Sequence, residues 1–443
     1  MLSVIEPLLL KYPLCSNCLG RMYARLGGEM SNRERGDLLK GFLLIEAELR
    51  LLEEGDEELL KALCRSGYAR ARKVAERHEI IVQSERCQIC GGLFDRIEEI
   101  GERALSLLRD YEFYSFYVGS TIPGWMAEAE DKIRSEFSLS YGESLKAELN
   151  RELGKYIGER VGVQVSFTNP DIVVCYDAIR DEVRIEVRPV YIYGRYLKLL
   201  RGIRQTRITE APCEGEECIG EDGKPISDNV SVEALIAPVF YRAHEGVDAV
   251  LHAAGREDID VRMLGTGRPF VIEIKEPRKR RVDLSAIEWE INEKFKGLVA
   301  VRMLRYVGPD VVRKINVYSS IHEKRYILKI KVEGGVTDEE IKKVEKALTD
   351  RVIKQKTPRR VLWRRVDKVR VKKVYKVKGF RLGPDMAMFD ILCQGGLYIK
   401  ELATGDEGRT KPSISEVLGK NVEVISLDVI AVAPDLEKRL FGS

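Results

Sequence analysis

Two carboxylates in the middle of the chain, Asp258 and Asp260, stand among Arg256, Arg262 and Arg268, with glycines at 255, 265 and 267. A carboxylate kept ionised by neighbouring cations is a nucleophile or a proton acceptor, and glycines let a ligand approach the backbone closely. The segment is AGREDIDVRMLGTGRPFVIEI, residues 254–274. By composition alone it would serve equally as a surface ion-pair loop.

Four other residues are metal ligands by type and spacing. Cys15 and Cys18 lie in CSNC, and Cys87 and Cys90 in CQIC. In an intracellular chain, two C-x2-C pairs predict one four-thiolate zinc site rather than disulfides. Thiolates are soft and anionic, and two intervening residues let a single turn present both sulfurs to the ion. With all four positions filled by protein, such a zinc is structural. Gly20, Gly91 and Gly92 follow the pairs, as tight turns require. Cys64, Cys175 and Cys393 sit among apolar neighbours and read as small core residues. Cys213 and Cys218 lie in a Gly/Glu-rich loop with loose spacing, and no metal is assigned to them.

The elements that must position these groups follow from periodicity. Leucines and charges alternate at helical period over 31–65, predicting two helices inserted between the cysteine pairs, and a further helix follows from Leu93 to about Asp110. YEFYSFYVGS reads as a strand and SLKAELNRELGKYIGERVG as an amphipathic helix. NPDIVVCYD and EVRIEVRPVYIYG read as a strand pair turning near Arg180–Asp181. This α/β unit is expected to run through Arg195, Lys198 and Arg201 to Arg204, with the boundary in the glycine- and acid-rich stretch that follows. Beyond 230 strands and helices alternate, ending in the apolar strand NVEVISLDVIAV. The pattern is α+β with a large mixed sheet. It divides into a cysteine-bearing accessory region (1–110), an α/β domain (111–204) and a larger domain (205–443).

Composition narrows the function. The chain has 443 residues, 44% hydrophobic, enough for two or three domains with their own cores. It carries no apolar run near the roughly 20 residues of a membrane span. Its start, MLSVIEPLLL, holds a glutamate and no basic region, so a secretory signal is not expected. The expectation is a cytoplasmic monomer with no membrane partner. Residues 1–200 hold 28 basic and 33 acidic side chains, and residues 201–443 hold 46 and 38. The basic half points to an anionic partner. Residues 354–378 concentrate it, with twelve Lys/Arg and one acid around Trp363 and Tyr375. That density suits neutralisation of RNA phosphates.

Gly255-Arg256-Glu257-Asp258, then Asp260-Val261-Arg262 and Gly267-Arg268-Pro269-Phe270, resembles the catalytic loop of the THUMP-bearing tRNA pseudouridine synthases of archaea and eukaryotes, the family numbered ten. The resemblance continues in Lys354 to Leu362, in Gly396-Leu397-Tyr398-Ile399-Lys400-Glu401, and in Gly405-Asp406-Glu407-Gly408-Arg409-Thr410. The cysteine pairs, Asn169-Pro170-Asp171 and Gly194-Arg195-Tyr196 are similar to that family's accessory and THUMP regions.

The resemblance implies a pseudouridine synthase fold with a central cleft, preceded by a zinc-bound accessory and THUMP region. It further implies isomerisation of uridine to pseudouridine at positions 54 and 55 of the tRNA T loop, without a catalytic cofactor. Asp258 is then the catalytic aspartate, acting at C1′ or on the C2′ proton of the ribose. Lys400 is the cation that keeps it charged. Tyr326 is the ring that stacks on the extruded uracil and helps remove the C5 proton, and Tyr398 and Arg360 complete the substrate contacts. A non-catalytic zinc/THUMP protein that docks the tRNA T arm is the second reading. A THUMP-linked methyltransferase or thiolation enzyme would need a glycine-rich nucleotide loop after a strand, and the chain has none.

Overall fold

The computed structural model describes residues 2–207, 213–221, 223–227 and 230–442. The chain forms two compact units that divide between Arg188 and Pro189.

The first unit has one continuous apolar core, reaching from Ile5 through Cys90 and Leu149 to Tyr176. Residues 1–110 and 111–187 therefore share a core instead of forming two domains. Its helices include Asn32–Glu54, Glu58–Arg65, Ala69–Arg77, Ile97–Leu108, Gly124–Glu136 and Leu145–Val161. The longest starts at a capping box. Ser31 Oγ accepts from the Glu34 amide at 3.2 Å, and the Glu34 carboxylate accepts from the Ser31 amide at 2.8 Å. It stops at Gly55, whose φ of 68° ends the helix. The sheet has three strands in the order Phe116–Thr121, Ile172–Asp177, Glu182–Val187, the first pair parallel and the second antiparallel. The sequence reading misses the helices Leu2–Lys11, Ser16–Arg21 and Gly124–Glu136, and the structure extends the predicted pair of inserted helices to three.

The second unit is built on a ten-stranded mixed sheet. Its strands run in the order Thr410–Lys411, Arg351–Lys356, Val369–Arg381, Met386–Gln394, Glu323–Val332, Val422–Val432, Arg262–Lys275, Val190–Lys198, Val299–Val307, and Asp248–Ala253 pairs with Arg262–Lys275. Pairings are antiparallel except between Val422–Val432 and Arg262–Lys275. Period-two burial is clear on Glu323–Val332, where Tyr326, Leu328, Ile330 and Val332 all face the core.

Val190–Lys198 corrects the expected domain boundary. VRPVYIYG reads as one strand, but Pro189 cannot donate to a ladder, and the chain leaves the small sheet there. The next nine residues lie inside the large sheet, so Gly194-Arg195-Tyr196 belongs to the second unit and the division falls at 188/189 rather than 204/205. Arg195 is 2% exposed and donates to the carbonyls of Gly267 (3.0 Å), Val432 (2.9 Å) and Ala433 (2.7 Å) and to the Glu437 carboxylate. Gly265 and Gly267 likewise lie within the strand Arg262–Lys275 rather than in a loop. Among the described residues, no helix is long and apolar enough to cross a membrane.

Glu437→Ala leaves the Arg195 guanidinium buried without its anion. It should destabilise the second unit by about 3 kcal/mol, read as a lower urea midpoint at unchanged slope.

Candidate functional site

The segment 254–261 connects the strands Asp248–Ala253 and Arg262–Lys275, and a buried network sets its path. Glu257, beside Asp258 in sequence, points inward. Its carboxylate accepts from Tyr196 Oη at 2.8 and 2.9 Å and from Arg268 Nε at 2.7 Å. The side chains of Arg268 and Glu257 are 2% and 0% exposed. Arg268 also donates to the Ala254 carbonyl at 2.8 Å, and Gln205 Nε2 bridges Tyr196 Oη (2.7 Å) and the Gly255 carbonyl (2.9 Å).

Lys198 Nζ donates to the carbonyls of Ile203, Asp258 and Ile259 at 2.8, 3.1 and 3.0 Å. Burial pushes its ammonium down to about 8, against the opposing pull of Glu257 and the two aspartates. With the carbonyls of Ala254, Gly255, Asp258 and Ile259 held and Glu257 turned in, Asp258 is left to face a cleft, its side chain 32% exposed.

The cleft is a cavity of about 120 Å³ bounded by Asp258, Tyr326, Arg360, Tyr398 and Lys400, with Val261, Val361, Leu397, Leu427 and Val429 among its apolar lining. All five residues singled out from sequence meet here, but their pairing differs from the expectation. Arg360 Nη1 is 2.9 Å from Asp258 Oδ2, whereas Lys400 Nζ is 3.5 Å from the same oxygen. Lys400 instead donates to both oxygens of Asp260 at 2.7 Å. Burial alone would raise the Asp260 carboxyl, and the hydrogen bond and charge of Lys400 hold it below the usual range. Asp260 is therefore the fixed counter-ion of Lys400, and Arg360 is the nearer cation of Asp258.

Arg360 comes from the short turn Arg359–Arg364 and is anchored by Glu401, which accepts from its Nε at 2.7 Å. Lys400 and Glu401 lie on the helix Ile399–Thr404. That helix start is held by buried Gln355, which donates to the Tyr398 carbonyl (2.9 Å) and accepts from the Tyr398 amide (2.8 Å). Tyr398 Oη accepts from Arg365 at 3.0 Å. Tyr326 is 9% exposed on the cleft floor, and burial pushes its phenol well above the usual range. Its ring forms part of the cleft lining beside Asp258. Sequence reasoning placed Glu257 and Arg268 in the loop motif without their buried pairing, and missed Tyr196, Lys198 and Gln355 as parts of this site. Tyr196 and Lys198 were visible only as polar residues within the strand Val190–Lys198.

In the first unit, the sulfurs of Cys15, Cys18, Cys87 and Cys90 all lie within 4.8 Å of one another, with Cys15 and Cys90 at 3.6 Å. A tetrahedral ion with metal–sulfur bonds of about 2.3 Å separates its sulfurs by about 3.8 Å, so the four thiols fit one soft divalent ion. Gly91 and Gly92, both at positive φ, make the second turn. Gly20 has a different task from the one expected. It lies within the helix Ser16–Arg21, and a Cβ there would sit 1.8 Å from the Asn32 carbonyl oxygen. Gly36 likewise meets Ser16, so the two glycines let the knuckle helix cross Asn32–Glu54 in backbone contact. Buried Arg21 donates to Cys18 Sγ at 3.4 Å and is held by Glu130 and Glu148. Cys213 and Cys218 form a disulfide.

Residues 191–433 match the family model described as Pus10, C-terminal, and residues 100–177 that of the Pus10 THUMP domain, archaeal. The chain belongs to the Pus10 family. Proteins named tRNA pseudouridine synthase Pus10 resemble it along almost their whole length. That of Thermofilum pendens is 38% identical, covering 97% of this chain and 95% of the relative. That of Methanopyrus kandleri is 41% identical with 97% and 98% covered, and that of Methanocaldococcus jannaschii 42% with 96% and 93%. This Pus10-family chain is an isomerase, a pseudouridine synthase. Solved structures align loosely. A Cbf5-Nop10-Gar1 complex gives a TM-score of 0.28 at 16% identity over 44% of this chain and 43% of its counterpart, too loose to transfer geometry.

The buried pair beneath this Pus10 cleft yields a prediction. Arg268→Met strands the Glu257 carboxylate and should destabilise the second unit by about 3–5 kcal/mol. Adding Glu257→Gln should restore part of that loss, and equilibrium unfolding of the two singles and the double gives the coupling.

Proposed function

We propose that this enzyme converts uridines 54 and 55 of the tRNA T loop to pseudouridine, with Asp258 as the catalytic residue. The observation that carries the reading is the Asp258 carboxylate set between Arg360 and Lys400 over the buried Tyr326 ring. The relatives' printed names supply tRNA as the substrate class. A uracil that reaches this cleft must leave its stack, at a cost of a few kcal/mol.

In the proposed reaction the ionised Asp258 acts on the ribose, at C1′ or on the C2′ proton, and the C1′–N1 bond breaks. The freed uracil turns over against Tyr326 and forms the C1′–C5 bond. The C5 proton is lost and N1 gains one, so the product is an isomer of the substrate. Arg360 and Lys400 place positive charge beside the carboxylate, and Tyr398 bounds the uracil. No cofactor enters the reaction.

Cys15, Cys18, Cys87 and Cys90 are proposed to hold one zinc ion, a structural crosslink of the accessory region that leaves no ligand position for chemistry. The basic stretch 354–378 supplies phosphate contacts along the T arm.

Asp258→Asn retains size and removes the anion. Pseudouridine formation, read as tritium release from C5-labelled tRNA, should fall to background, with tRNA affinity changed less than about tenfold, or 1.4 kcal/mol. Asp260→Asn should keep substantially more activity. Arg360→Met should lose more than Lys400→Met, because its nitrogen is the nearer one. An active Asp258→Asn enzyme beside an inactive Asp260→Asn one would move the assignment within the loop, and binding without turnover in the wild type would favour the docking reading.

Elemental analysis of the purified chain should find one zinc per molecule, and Cys87→Ser should lower that content and the thermal midpoint of the first unit.

A further inference from the structure

Two glycine turns deliver the residues of the cleft. Gly255, at φ +83°, opens the turn that leads to Asp258, and Gly396, at φ +91°, precedes Leu397, Tyr398 and Lys400. A Cβ built on Gly255 would meet only Arg268 Nη1 at 3.1 Å and Lys324 Nζ at 3.3 Å. On Gly396 it would meet only Lys372, Cε at 3.1 Å and Nζ at 3.4 Å. Each glycine therefore brings its backbone close against cationic side-chain ends, Arg268 and Lys324 at the first and Lys372 at the second.

The two lysines are neighbours. Lys324 is opposite Cys393 on the adjacent strand and two residues before Tyr326 on the same face, and Lys324 and Lys372 both act electrostatically on the buried Cys393 thiol. Among the described residues, neither lysine has a hydrogen-bond or ion-pair partner. The nearby carboxylate, Glu257, is already taken by Arg268 and Tyr196. Burial, then the Arg268 charge, push the Lys324 ammonium down to about 8, with Lys372 adding to the effect. Half-buried ammonium groups gathered without an anion oppose folding. An anion seated over the glycines would relieve them.

We propose that Lys324 and Lys372 form a phosphodiester subsite, gripping the RNA backbone beside the nucleotide whose base enters the cleft. The inference rests on the reading of that cleft as the uridine site. A phosphodiester suits the two lysines because its two free oxygens take donors from different directions, and because it is the anion that accompanies every extruded nucleotide. Holding it would anchor the ribose over Asp258 while the base turns.

The test combines Lys324→Gln with Lys372→Gln and, separately, replaces single linkages flanking the target uridine of a T-arm RNA by uncharged methylphosphonate. One such replacement should weaken wild-type binding about tenfold. The double variant should show the same loss on natural RNA, no further loss on that modified RNA, and a salt slope reduced by about one. Losses that multiply, or a double variant that binds and turns over like wild type, overturn the subsite. Lys372→Gln alone, more readily accommodated, must show the same non-additivity at smaller scale, so a misfolded double variant does not shelter the proposal. A wild-type enzyme that forms no pseudouridine in T-arm RNA would overturn the uridine-site reading. A fully active wild type with indifferent lysines overturns this inference alone.

Discussion

The site depends on one buried ion pair. Glu257 and Arg268 meet at 2.7 Å with almost no exposure, and the segment 254–259 is arranged around them. A buried pair of this kind contributes little net stability by itself, because desolvation offsets most of the attraction. Its effect is on geometry. Once the Glu257 carboxylate is committed inward to Arg268 and Tyr196, the next residue along the chain has to face the other way. Asp258 is thus presented to the cleft by its neighbour's burial. The lysine that holds the Asp258 and Ile259 carbonyls, Lys198, keeps that turn from relaxing.

The cleft then divides its charges. Asp260 takes Lys400 through two 2.7 Å contacts, Glu401 takes one edge of Arg360, and Asp258 receives what remains of both cations. Sharing two cations with other acids leaves Asp258 paired yet accessible from the cleft. The apolar side chains and the Tyr326 ring limit water around it, which strengthens every electrostatic interaction there.

The first unit reaches order by a different route. Its cysteine pairs come together across 68 residues because two glycines let the helix Ser16–Arg21 and the helix Asn32–Glu54 touch backbone to backbone. Arg21, bound to Cys18 Sγ and to two glutamates from later helices, ties the sulfur cluster to the rest of the core. One core serves the whole unit as a result.

Much of this was legible in the residues themselves. Apolar and alternating runs marked most strands and C-x2-C spacing marked the four-thiol set, because these signals depend on side-chain type and local spacing, whereas Lys400, Tyr326, Tyr398 and Arg360 were reached only through the resemblance of their motifs to the pseudouridine synthase family. What sequence could not decide was which groups would be partners across distance. Tyr196 and Glu257 meet though 61 positions apart, and Asp260 and Lys400 though 140 apart. Nothing local distinguishes a lysine that will hold Asp258 from one that will hold Asp260. The same limit explains the strand Val190–Lys198, which follows the small sheet in sequence but belongs to the large one, since strand pairing is chosen by the partner edge. Gly20 looked like a turn residue and proved to be a point of helix contact for the same reason. Residue type and spacing marked the carboxylate- and arginine-rich segment and the four cysteines. The tertiary structure decided which acid faces the cleft, because only packing settles which charges are buried against each other and which are left exposed.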